Sequence, residues 1–479
     1  MRSAYRTVAA ASLLLAASAL MAQRPSGSPQ PDFTKARDEA VGFLQNLVRM
    51  DTSAGNETRA AEYIKSVLDR EGIPAEIFTL ENGRGNVVAR LKGSGKKRPI
   101  LLMGHTDVVG VEKDKWTVDP FGAVIKDGYL YGRGSTDDKD NASANLEVLL
   151  LLHRQKVPLD RDVIYLAEAG EEGAPRLGIG YMVNEHWDRI ECEFTLAEGG
   201  STSMRDGKVR YVATAATEKV GRGLRLVARG TSGHGSVPRP DNAIVHLAAA
   251  VAKVGRYQAP MRLNDITRTF FKRLAEISPP EEAFLYTHLE DPAVQETLRM
   301  KYLPQNSMLR TSISPTIFNA GFRSNVIPGD ASATLDVRAV PDEDMDKLVA
   351  DLTRLIDDPI VQIERRAAGR PSPPPSAIDS ETFRALEKTQ AAMFPGAVTL
   401  PMMLTGATDM SFLRAKGVNA YGIGAPALDT ETGAHGNDER ISIDGFGKFV
   451  EFIYRTVVEV AAAPQPATRQ SAPEGEPAK

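Results

Sequence analysis

The chain has 479 residues, of which 42% are hydrophobic and 25% charged, with a formal net charge of −4. That length exceeds a single simple core and predicts two or three domains of a soluble globular enzyme. The charge balance gives no electrostatic footprint for nucleic acid or an anionic membrane, and a lone cysteine, Cys192, excludes an intramolecular disulfide.

At the N-terminus Arg2 and Arg6 precede an uncharged run, Thr7 to Ala22, followed by polar QRPSGSPQPD. This is the layout of a secretory signal over residues 1–22, with Ala19 or Ala22 before the cut. The run is short for a membrane span, so an uncleaved anchor is the weaker reading. The expectation is an exported protein, periplasmic or secreted, with no membrane attachment after cleavage. Residues 23–34 read as a polar linker. Over 35–217 helix-like runs (Lys35–Arg49, Glu57–Glu71, Asn141–Gln155) alternate with strand-like runs (Asn86–Leu91, Pro99–Met103, Asp162–Ala167, Glu193–Ala197), the pattern of an α/β layer fold. Asp140 or Asn141 is the expected cap of the third helix, and Cys192 reads as a buried residue of the last strand.

From 218 to 367 the pattern changes to alternating strands (Gly221–Arg229, Ser314–Ala320, Ala331–Val337, Val361–Arg366), which predicts a sheet with one face covered. Helices at Ala243–Val254 and Met345–Ile356 complete a β-α-β-β-α-β, ferredoxin-like order. Thr267–Met308 reads as a helical insertion within it. The segment RPSPPPS (370–376) reads as a linker into a last part, 377–462, and the Pro- and Gln-rich end, 463–479, reads as a disordered tail. The small domain is therefore expected to interrupt the large one.

Chemistry gathers at the ends of the apolar runs. In order stand His105 and Asp107 (GHTDVV), Asp137 (GRGSTDDKD), Glu171 and Glu172 (AEAGEEG), Glu198 (LAEGG) and His435 (GAHGNDER). Carboxylates and imidazoles without a thiolate suit zinc or a similar divalent ion. Asp107, two residues beyond His105, can fix the tautomer of that ring. Asp137 follows two glycines and suits a bridging carboxylate, with Asp138 as its competitor. Glu171 and Glu172, expected to face opposite ways in extended chain, offer one ligand and one base for water. Each stretch alone occurs by chance; the ordered set carries the reading. Two divalent cations would be balanced by three ligand carboxylates and a hydroxide, whereas those acids alone would repel.

With SGHGSVP (232–238), ISPT (313–316), NVIP (325–328), LDVR (335–338) and GATDMSFL (406–413), the set resembles the di-zinc exopeptidase family of aminoacylase, carboxypeptidases G and S, carnosinase, acetylornithine deacetylase and succinyl-diaminopimelate desuccinylase. The resemblance spans about 33–462 and is nearest the carboxypeptidase S branch. It implies a three-layer α/β catalytic domain with an inserted lid and dimerisation domain, a homodimer, and two zinc ions, with cobalt or manganese as alternatives. One zinc would take His105 and Glu198 and the other Glu172 and His435, bridged by Asp137, with Glu171 as the base that activates water. His234 would reach the partner's site and, with Asn325, stabilise the oxyanion; Arg338 would bind the substrate carboxylate. From the residues alone His234 is a turn residue among glycines and Arg338 a strand-end surface charge.

Two departures from the family pattern are Asp140, in place of glycine, and Gly170, where an acid often precedes the glutamate pair. The expected activity is hydrolysis of an amide next to a free carboxylate, in a short peptide or an N-acyl amino acid. A di-zinc aminopeptidase is the alternative, disfavoured by the inserted domain with HGSVP and NVIP; an inactive metal-binding envelope protein is disfavoured by the retained Glu171 and ligands.

Overall fold

Ile100, Leu101, Leu102 and Met103 are all fully buried or nearly so, an unbroken apolar run of the kind a strand shows when both its faces are covered. In the computed structural model this run is the strand Ile100–His105, at the centre of a ten-stranded mixed sheet. The structure describes residues 30–428 and 433–463; the predicted leader, most of the linker and the tail beyond residue 463 lie outside the described residues. Ile100–His105 runs parallel to Val163–Glu168 on one side and Phe194–Ala197 on the other. Alternate residues then belong to different cores. Ile100 and Leu102 pack with helices Phe33–Val48, Lys139–Arg154 and Ile443–Ala461, whereas Leu101 and Met103 pack with Ile179–Glu185 and Met410–Ala415. The result is the expected helix–sheet–helix sandwich.

The small sheet has spatial order Val361–Arg365, Leu224–Arg229, Asp330–Ala339, Ser312–Ala320, with every pairing antiparallel. Helices Ala243–Val254 and Met345–Ile356, predicted at those bounds, cover one face through Leu247, Val254, Leu348 and Leu352. This is the ferredoxin-like arrangement.

Three expectations need correction. Among the described residues Ser312–Ala320 pairs only with Asp330–Ala339, and residues 314–320 are exposed on both faces, with Ile317 51% and Phe318 46% exposed; the alternation there marks an open edge. The insertion forms four helices between Asp265 and Met308, but Phe270, Phe271 and Leu274 pack with Ala213, Leu400 and Met403 of the large sheet. It is inserted in sequence into one domain and braced in space on the other. The third large-sheet helix begins at Lys139, with Asp138 at its N-cap, ahead of both predicted caps. Cys192 is buried as expected, although it precedes its strand, which runs Phe194–Ala197.

Candidate metal centre

Parallel strands deliver their C-terminal ends to one edge of a sheet, and in open α/β sheets ligands bind there. His105 ends one central strand, Glu198 directly follows another, and the Glu171–Glu172 turn follows the third, Val163–Glu168. Asp137 comes from the loop before helix Lys139–Arg154, which packs on the central strand; its peptide bond to Asp138 is cis.

Asp137 stands between two histidines. Its Oδ1 lies 3.1 Å from His105 Nε2 and its Oδ2 lies 3.2 Å from His435 Nε2. The same His435 nitrogen is 2.8 Å from Glu172 Oε1. His105, Asp137 and Glu198 form one group whose donor atoms lie within 4.8 Å of one another, and Asp137, Glu172 and His435 form a second. The two groups share one carboxylate. Asp138, the competitor, turns inward: its Oδ2 accepts the His105 backbone N–H at 3.0 Å and its Oδ1 the Asn141 amide at 2.6 Å.

Asp107 holds more than the His105 ring. Its backbone carbonyl lies 3.0 Å from His105 Nδ1, with a carboxylate oxygen at 3.5 Å. The carboxylate accepts backbone N–H groups from Gly170, Glu171 and Glu172 at 2.8, 3.2 and 3.0 Å. Glu171 and Glu172 diverge because they sit in this turn, and the predicted extended alternation is absent there. Gly170 opens the turn at φ +85°, where a Cβ would lie 2.6 Å from the Ala174 carbonyl oxygen. Glycine at this position is required by the turn that presents the pair.

Charge is the limiting quantity here. Burial, with neighbouring acids, pushes Glu198 and Glu168 well above the usual carboxylate range, and pushes Glu171 up to about 8. Glu172 is raised by burial and by Asp137. Asp137 goes the other way, because the hydrogen bonds of His105 and His435 outweigh its burial. His435 rises to about 9, chiefly through Asp137 and despite its own burial. Buried acids that raise one another, beside imidazoles aimed at a shared carboxylate, fit a pair of divalent cations.

Sequence reasoning missed three supports. Arg370, in the segment read as a linker, donates from Nη2 to Glu171 Oε1 at 2.5 Å, to the Glu171 carbonyl at 2.8 Å and to Asp409 Oδ1 at 3.0 Å. A cation inside a Pro-rich run has no sequence signal of its own. Asp409 was visible only within GATDMSFL. Glu439 is fully buried, meets Arg133 at 2.5 Å and accepts the Gly134 and Thr136 backbone N–H groups, while Arg133 also reaches the His435 carbonyl. This pair ties the Asp137 loop to the His435 loop.

The remaining predicted residues stand apart. His234 is exposed and bonds Ser236 Oγ at 2.7 Å, and it pairs with Val326, next to exposed Asn325, in a two-stranded ribbon. Arg338 is half-buried and holds Asp336 at 2.9 Å. Among the described residues of one chain, these three make no hydrogen bond or ion pair with either group of donors.

Comparison with known proteins agrees with this layout. The profile of peptidase family M20/M25/M40 matches residues 101–459. A probable carboxypeptidase S-like 2 of Dictyostelium discoideum is 31% identical over 75% of this chain and 71% of its own length. The human N-fatty-acyl-amino acid synthase/hydrolase PM20D1 is 30% identical over 75% of this chain and 74% of its own. Among solved structures, human carnosine dipeptidase 1 aligns with TM-score 0.65 and 16% identity over 90% of this chain and 99% of its own. An aminopeptidase PepT of Bacillus cereus also aligns, with TM-score 0.61 and 17% identity over 88% and 98%. On the profile match, the two shared-carboxylate donor groups and the fold, the chain is a metal-dependent hydrolase that belongs to peptidase family M20/M25/M40.

Proposed function

We propose that this enzyme cleaves the amide of a short peptide or N-acyl amino acid next to a free carboxylate, using two zinc ions held by His105, Asp137, Glu172, Glu198 and His435. The observation that carries the reading is Asp137, with one oxygen on each histidine and a carboxylate, Glu198 or Glu172, completing each side. Bound there, two divalent cations supply Lewis-acid polarisation of the carbonyl and acidify water.

Glu171 is the proton carrier: it takes the proton of the attacking water and passes it to the leaving amine. Its side chain is buried and fixed by Arg370, so its direction is set before substrate arrives. Asp107 keeps the turn of Glu171 and Glu172 in register with His105. Homodimerisation completes the site, His234 and Asn325 of one subunit reaching the partner's oxyanion; the exposed Ile317, Phe318 and Phe322 of the small domain favour that association. Export to the periplasm or outside the cell follows from the leader-like residues 1–22, and no helix of the described residues is long and apolar enough to cross a membrane.

Arg338 is the proposed binder of the substrate carboxylate, because a guanidinium offers two parallel charge-assisted bonds. The test is a panel of dipeptides, N-acyl amino acids and their C-terminal amides, run with metal content measured. Free acids should be far better substrates than amides, and Arg338→Ala should shrink that ratio by about 30-fold or more. Equal turnover of acids and amides by the native enzyme overturns this reading in favour of an aminopeptidase.

A further inference from the structure

The chain passes between its two domains twice, outward along residues 216–223 and back along 366–376, and the two passages run side by side. The Ser376 N–H donates to the Ala216 carbonyl at 2.8 Å, the Arg366 N–H to the Gly223 carbonyl at 3.0 Å, and Arg222 Nη1 to the Arg370 carbonyl at 3.1 Å. Four prolines, Pro371 and Pro373 to Pro375, stiffen the return passage. Arg370 stands just before the first of them, a position that favours extended backbone. The outward passage is paired in turn with the strand that carries Arg338: Gly221 stands opposite Arg338, and the Arg222 N–H donates to the Val337 carbonyl at 2.8 Å.

The Arg370 side chain serves the large domain. Its Nη2 bonds Glu171 Oε1, the Glu171 carbonyl and Asp409 Oδ1, and its Nε lies 3.3 Å from the same Asp409 oxygen. Asp409 is 1% exposed and stands at the N-cap of Met410–Ala415, which packs on the large sheet. Among the described residues no hydrogen bond holds Glu171 Oε2. One oxygen of the base is therefore gripped by a guanidinium and the other is left to water. Covalent neighbours and hydrogen bonds lead without a break from Arg338 through Arg222 and Arg370 to Glu171.

We propose that Arg370 is a positioning residue for Glu171, and that the paired passages couple its setting to the small domain. The grip on a substrate carboxylate at Arg338 and the aim of the base then hold or loosen together. This rests on the roles proposed above for Glu171 and Arg338. A guanidinium suits the task because its planar fork fixes direction, which a lysine ammonium does not.

The test compares kcat, KM and metal content on a free acid and its C-terminal amide. Arg370→Ala should keep two metal equivalents and lower kcat about 10- to 100-fold, the cost of a base out of aim, with KM nearly unchanged. Added methylguanidinium should restore kcat in that variant by about fivefold or more, and added ammonium should not. A native kcat in Arg370→Ala overturns the proposal, as does a loss that comes with lost metal or that methylguanidinium leaves unchanged. Arg222→Ala removes the bond to the Arg370 carbonyl without touching the base, and it carries the test if Arg370→Ala does not fold. It should lower kcat on the acid by about 3- to 30-fold and shrink the acid-to-amide ratio, metal retained. An unchanged kcat or an unchanged ratio in Arg222→Ala overturns the coupling. Equal turnover of acid and amide by the native enzyme overturns the carboxylate reading alone, and the Arg370→Ala comparison, made on either substrate, then stands or falls by itself.

Discussion

Glu171 and Glu172 are neighbours in sequence with different surroundings. Glu172 meets His435 at 2.8 Å and belongs to a donor group, whereas Glu171 meets Arg370 and lies among buried acids. A carboxyl that belongs to neither donor group, raised by burial beside the same centre, is the better proton carrier. Glu171→Gln should therefore retain two metal equivalents by elemental analysis and lose turnover by about two to four orders of magnitude. Loss of metal with activity largely kept would exchange the roles of the two glutamates. The division was half legible in the sequence: the pair was visible, but the side chain facing each partner was set by the Gly170 turn and by Arg370, which comes from 199 residues away.

At the scale of elements, the legible parts were those with a physical period. Unbroken apolar runs marked the central strands, because both faces of that sheet are covered, and helical spacing marked Ala243–Val254 and Met345–Ile356 at their observed bounds. Ser312–Ala320 misled because alternation reports a pleat and says nothing about whether a partner covers it. The insertion misled because chain order does not specify which sheet a helix packs on.

The small domain has an electrostatic fastener of its own. His246 Nδ1 lies 2.6 Å from Asp358 Oδ2 and Nε2 lies 2.9 Å from the Pro240 carbonyl, so both ring nitrogens must donate and the ring is an imidazolium. The Asp358 hydrogen bond raises the histidine above its ordinary 6.5, helped by the Pro240 carbonyl and Asp241 and opposed by slight burial. Asp358, with Lys253 also nearby, is lowered despite its own desolvation. The contribution of the raised histidine is complete below its unfolded value and is lost as pH rises through the folded one. That of the lowered carboxyl fails only as pH falls through a value below 3.8. Stability in urea should thus decline as pH rises above about 6.5, by no more than about 1 kcal/mol for a pair with partly exposed side chains. His246→Gln should remove that slope, and a slope unchanged in the variant would assign it elsewhere.

The whole molecule poses a question of completeness. In one chain the donor groups lie at the edge of the large sheet, while His234 and Asn325 stand exposed on the small domain and, among the described residues, bond within their own ribbon. The same domain exposes Val237 at 64%, Val245 at 62% and Phe322 at 83%, beside an edge strand with unpaired backbone. An open, apolar edge is a liability that a second copy of the chain can remove. If that copy also brings His234 to the neighbouring metal centre, each site is made by two chains, and defects in different chains can complement. His234→Ala and Glu171→Gln homodimers should each be nearly inactive. After subunit exchange in an equal mixture, half the dimers are mixed and each holds one intact site, so activity should recover to about a quarter of native. Exchange must be shown independently, by mass or fluorescence labels on the two variants. Exchanged but inactive mixtures would mean that His234 serves its own chain or none, and that the site visible in a single chain is already whole.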